Sequence, residues 1–97
     1  MSRFISFIGS VVEISDAVRG VTANGTAWVK RVLVINHETF GRCLAIDVFN
    51  TDLSAFSVND VVRVDVTIDS RRNDSTGKWY TTARGYNVQH YSVMQEL

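Results

Sequence analysis

The side chains best equipped for chemistry are gathered between Asp69 and Tyr86, in the run Ser70-Arg71-Arg72-Asn73-Asp74-Ser75-Thr76-Gly77-Lys78-Trp79-Tyr80-Thr81-Thr82-Ala83-Arg84-Gly85. Arg71, Arg72, Lys78 and Arg84 face a single acid there, Asp74, and Trp79 and Tyr80 follow the lysine directly. The segment reads as a β-hairpin with a basic tip and an aromatic returning arm. Cations neutralise phosphates and flat rings stack bases, so the pairing suits a single-stranded nucleic acid.

Three further positions extend the set. Trp28 and Lys30 share one face of an apolar strand, with Arg31 on the other face beside Leu33 and Ile35. Phe49 alternates with Asp47 and so points away from Leu44, Ile46 and Val48. Trp79 and Tyr80 are adjacent in a strand and must point to opposite faces, one to a ligand and the other to packing, in an order the sequence leaves open. Each candidate also has a plainer reading. Loop cations are ordinarily solvated, a strand arginine such as Arg84 ordinarily pairs with a cross-strand acid such as Asp65 or Asp69, and Tyr86 and Tyr91 read as packing or interface residues.

Catalysis finds no support in the residue pattern. His37 and His90 are isolated, the aspartates alternate outward along strands, and the glycines lack the spacing of a phosphate-binding loop. No cofactor or metal site is expected. Cys43 is the one cysteine, which excludes an internal disulfide, and its plainer reading is a small buried strand residue.

With 97 residues, 45% hydrophobic and 21% charged, the chain is expected to form one globular domain. Ten basic and ten acidic residues cancel, which argues against a broad duplex-binding face but leaves room for locally focused cations. No apolar run approaches the roughly 20 residues of a membrane span. The apolar start Phe4 to Ile8 is too short for a secretory leader and is read as a strand, giving a cytoplasmic protein.

Strand patterns dominate. Val62, Val64, Val66 and Ile68 alternate with Arg63, Asp65, Thr67 and Asp69, a half-buried strand. Further strands are expected at Phe4 to Ile14, Ala27 to Ile35, Cys43 to Phe49 and Lys78 to about Tyr91. A short helix fits after Phe49, capped by Asn50 or Thr51, with Leu53, Phe56 and Val58 facing the core. Ser15 to Thr26 and Arg71 to Gly77 would then be the two long hairpin loops. Five strands with one short helix between the third and fourth is an all-β OB-fold pattern, a Greek-key barrel that binds oligonucleotides through those loops.

At this level the chain resembles bacterial and phage single-stranded-DNA-binding proteins. Ala27-Trp28-Val29-Lys30-Arg31-Val32 is similar to their second strand, and Ala45 to Leu53 to their strand-to-helix passage. Val64 to Val88 is similar to their long final hairpin. Through Ile68, Ser70, Arg71, Gly77, Lys78, Trp79, Tyr80 and Thr81 the chain resembles a group of short uncharacterised bacterial and phage OB proteins more closely than it does the larger ones. The resemblance implies a base-stacking role for Phe49, whereas Cys43 stands where the larger proteins carry a second platform tryptophan.

The expectation is therefore single-stranded DNA binding without strong sequence preference, in replication, recombination or repair, with RNA an open alternative. Trp28, Phe49 and one of Trp79 and Tyr80 would stack bases, while Lys30, Arg31, Arg71, Arg72, Lys78 and Arg84 would hold phosphates. The doubly apolar first strand would join a homodimer or homotetramer. The rival reading is an OB-fold protein-interaction or assembly module in which the aromatic hairpin is an interface anchor.

Overall fold

A computed structural model describes residues 4–37 and 41–92. Six strands form: β1 (Ile5–Ile14), β2 (Val18–Val21), β3 (Ala27–His37), β4 (Arg42–Phe49), β5 (Val61–Arg72) and β6 (Trp79–His90). They make one sheet in the order β1-β5-β6-β4-β3-β2, and the sheet curls so that β1 pairs with β3 as well as β5. All pairings are antiparallel except β4 with β6.

The alternation that marks the strands also sorts their side chains. Val62, Val64 and Val66 of β5, Leu33 and Ile35 of β3, Ile46 and Val48 of β4, and Val11 of β1 fill the concave side. Transfer of such side chains from water, worth about 1.5–3 kcal/mol each, is what drives the sheet to curl around them. The parallel seam is short, Asp47 against Arg84 and Val48 against Gly85. Gly85 makes that seam possible, because a Cβ there would lie 2.7 Å from Ile46 Cγ2 and 3.0 Å from Val64 Cγ1.

Two sequence expectations need correction. The Ser15 to Thr26 loop contains a sixth strand, β2, whose Val18, Arg19, Gly20 and Val21 pair with Lys30 to Ala27. Among the described residues there is no helix: residues 51–60 form two consecutive turns. Asp52 accepts the Ser54 N–H at 2.9 Å and Asp60 accepts the Ser57 N–H at 2.8 Å. Phe56 N–H reaches Leu53 O at 3.0 Å, and Asp60 N–H reaches Ser57 O at 3.0 Å. Short polar side chains that bond the backbone locally compete with a helix, and so brief a segment cannot recover the cost of nucleation. Leu53 still enters the core and Phe56 still packs on it, with its ring stacked on His90 at 4.5 Å. Val58, expected inside, is 54% exposed.

β5 and β6 continue past the body as a two-stranded arm, where Ile68 pairs with Ala83 and the ladder runs to Arg72 opposite Trp79. The arm makes the molecule long, with a radius of gyration of 15.2 Å against about 12.5 Å for a compact chain of this length. Its tip is a tied turn. Asn73 N–H bonds Lys78 O at 2.8 Å, Gly77 N–H bonds Asn73 O at 2.7 Å, and Gly77 takes a φ of 74°.

Candidate nucleic-acid interface

Strand register decides which candidates meet. On the convex side, Lys30 of β3 lies opposite Phe49 of β4, and Asp47 lies beside Arg84 of β6. Arg84 is in turn opposite Thr67 of β5. Two residues further along the arm come Asp69 and Thr82, then Arg71 and Tyr80. Asp47, Phe49, Thr67, Asp69, Arg71, Thr82, Arg84 and Tyr86 line one cleft of about 420 Å³.

The centre of this face is a stack. The Arg84 guanidinium carbon stands 4.4 Å from the Phe49 ring centroid and 5.6 Å from that of Tyr86. The Trp28 ring meets Phe49 edge-on at 5.9 Å, and Phe4 meets Tyr86 edge-on at 5.1 Å. Backbone features hold these rings in place. Asn50 adopts a φ of 52° and brackets Val29, donating its N–H to Val29 O at 2.8 Å and accepting the Val29 N–H at 2.9 Å. That bracket fixes the end of β4, and with it Phe49, beside Trp28. Trp28 itself lies across Gly20, its cross-strand partner, where a Cβ would sit 2.1 Å from Trp28 Cζ2. Only glycine leaves the ring room to lie flat.

Six of the ten expected site residues therefore share this face: Trp28, Lys30, Phe49, Arg71, Tyr80 and Arg84. Four do not join it. Arg31 is on the concave side, opposite Val48, and its Nη1 donates to Ser15 O at 3.1 Å. Arg72 and Trp79 lie on the arm's opposite face, with Arg72 paired to Asp74 at 3.4 Å and Trp79 66% exposed. Lys78 belongs to the tip turn, its N–H bonded to Thr76 Oγ1 at 3.2 Å. Cys43, read as a small buried residue, is exposed on the convex side.

Residues that sequence reasoning passed over complete the cleft: Asp47, Thr67, Asp69, Thr82 and Tyr86. The alternation Thr82, Arg84, Tyr86 against Ala83 and Gly85 carries part of that signal within the chain. The partners from β4 and β5 carry none, because they depend on register. The anticipated ion pair of Arg84 with Asp65 or Asp69 does not form. Asp69 pairs with Arg71 at 3.6 Å. Asp65 accepts the Ser6 hydroxyl at 2.9 Å and the Asn87 amide at 3.3 Å, and these hydrogen bonds hold its carboxyl below the usual carboxylate range. Among the described residues no cluster of His, Cys, Asp and Glu could hold a metal ion, and no helix could cross a membrane.

The fold is shared with the second OB-fold domain of replication protein A from Methanococcus maripaludis. The two are 16% identical, with a TM-score of 0.62 over 94% of this chain and 86% of that domain. At that identity the likeness is one of fold. No curated protein matches the chain. Residues 6–89 match the family model described as Domain of unknown function (DUF3127), and the chain belongs to that family.

Proposed function

We propose that this protein binds single-stranded nucleic acid across the convex face of β3, β4, β6 and β5. The observation that carries the reading is the Arg84 guanidinium stacked on Phe49 between Trp28 and Tyr86. Aromatic platforms with interleaved cations are how OB folds hold single strands, each base stack contributing about 1–3 kcal/mol. Lys30 and Arg71 supply the other cations along this face. Its charge is nearly balanced by Asp47 and Asp69, so stacking contributes more than phosphate neutralisation, and the salt dependence is shallow for a nucleic-acid complex.

The likeness to an OB-fold domain of a replication protein supports a role in DNA replication, recombination or repair, and a cytoplasmic location belongs to the same proposal. A single short site calls for several copies. Phe4 and Ile5, both about half exposed, support a homodimer or homotetramer built through the first strand. The role is binding, not catalysis. A protein-interaction module is the second reading, favoured by Trp79 and Ile68, which lie exposed on the arm face away from the stack.

The test is tryptophan fluorescence of the Trp79→Phe variant, in which Trp28 is the sole reporter, titrated with a 30-nucleotide oligo-dT at low and high salt. Quenching at low salt that weakens as salt rises supports the proposal. Silence with both DNA and RNA at low salt transfers it to the protein-interaction reading.

A further inference from the structure

Asp47 is a misfit on a surface meant only for phosphates. It lines the cleft beside Arg84, its direct register partner, yet the two make no salt bridge. The guanidinium is turned instead onto Phe49. Among the described residues Asp47 takes part in no ion pair and no side-chain hydrogen bond, whereas Asp69, the other acid of the cleft, is engaged by Arg71 at 3.6 Å. A half-buried carboxylate without a donor, next to a cation that is stacked elsewhere, leaves one cleft with a free acceptor and a planar donor group side by side. Polyanion phosphates are repelled by that acceptor. A nucleotide gains from it only by bringing a hydrogen-bond donor of its own.

We infer that Asp47 is a specificity-determining residue, an acceptor that selects nucleotides carrying a donor near the stack formed by Arg84 and Phe49. The inference rests on the nucleic-acid reading above and deepens it. Several groups on a nucleotide can donate, the uracil and thymine N3–H among them; two are singled out because a homopolymer series isolates them. The ribose 2′-hydroxyl is present in RNA and missing from DNA. The cytosine N4 amine occupies the corner where thymine and uracil present the O4 acceptor, which a carboxylate repels. Both form the same charge-assisted hydrogen bond with Asp47, and one set of polymers tells them apart.

The experiment titrates the full chain with three 30-nucleotide homopolymers of equal charge. Oligo-dU, whose base donates only through N3–H, is the reference, and oligo-rU adds only the 2′-hydroxyl. Oligo-dC replaces the O4 acceptor by the N4 amine and N3–H by a bare N3 acceptor. An Asp47 bond to N3–H would instead favour oligo-dU over oligo-dC and overturn the inference. The expected result is that oligo-rU or oligo-dC binds about tenfold more tightly than oligo-dU, and the polymer that does so names the donor. In Asp47→Ala this preference collapses to about onefold while oligo-dU binds more tightly, because an acid facing phosphates has been removed. Asp47→Asn keeps a carbonyl acceptor of the same shape and retains an intermediate preference, which separates lost acceptance from a damaged fold. Equal affinity for all three polymers, or a preference that survives in Asp47→Ala, overturns the inference while leaving nucleic-acid binding intact. Failure of all three to bind overturns both.

Discussion

The Arg84 guanidinium lies 4.4 Å from the Phe49 ring centroid, stacked on it, although Asp47 is the residue directly beside Arg84 in the sheet. A cation over an aromatic face gains about 0.5–2 kcal/mol, and an exposed ion pair in water gains no more than about 1 kcal/mol. The stack therefore competes successfully with the pair.

Replacing Arg84 by Ala is expected to weaken oligo-dT binding about tenfold at low salt. The slope of log affinity against log salt should shrink by about 0.7, the contribution of one phosphate contact on a single strand. Arg84→Lys keeps the charge but loses the planar stack, and should fall between the two. Titrations at three salt concentrations separate these outcomes.

Parity along β6 makes the neighbours Trp79 and Tyr80 unequal. Tyr80 shares the cleft side with Arg71, whereas Trp79 shares the other with Arg72. Tyr80→Ala should cost about 1–3 kcal/mol of binding. Trp79→Ala should change it by less than about 0.5 kcal/mol, measured by fluorescence anisotropy of a labelled oligonucleotide. The reverse ranking would put the ligand on the arm's other face.

Gly20→Ala inserts a methyl 2.1 Å from Trp28 Cζ2. The indole has to swing off the β2–β3 hairpin, at a cost of about 1–3 kcal/mol in stability, as overpacking does elsewhere. A lowered denaturation midpoint together with altered Trp28 emission is the expected pair of signals.

Leu53 is 4% exposed although it sits in a turn. Leu53→Ala should destabilise the fold by about 2–4 kcal/mol. Amide exchange over residues 51–60 should accelerate more than in β5. Denaturant unfolding and exchange measurements report the two effects separately.

Asp65 titrates below its ordinary value because Ser6 and Asn87 donate to its charged form. A depressed folded-state pKa contributes stability that is fully present above the unfolded-state value and lost as pH falls through the folded value. Ser6→Ala removes the largest cause, so the Asp65 carboxyl should titrate at higher pH. The variant should lose stability relative to the parent at neutral pH and converge with it in acid. Carboxyl chemical shifts followed over pH 2 to 6 check the direction.

The residues themselves determined the strands and their faces. Strict alternation from Val62 to Asp69 set which side of β5 is buried, and adjacency alone set Trp79 and Tyr80 apart. Arg71 to Gly77 was legible as a hairpin loop, and the left-handed φ of Gly77 that closes it is a local matter. Local pattern misjudged two places where local forces were nearly balanced. Residues 51–60 satisfy their backbone through Asp52 and Asp60 instead of a helix, and Val18–Val21 found in β3 a partner that its short, glycine-containing run did not announce. The tertiary structure alone decided the site. Asp47 and Arg84 are 37 residues apart in sequence, and only the two-pair parallel seam, admitted by Gly85, brings them together. Periodicity fixes which way a side chain points, but register across distant strands fixes what it meets. That register follows from how the whole core packs.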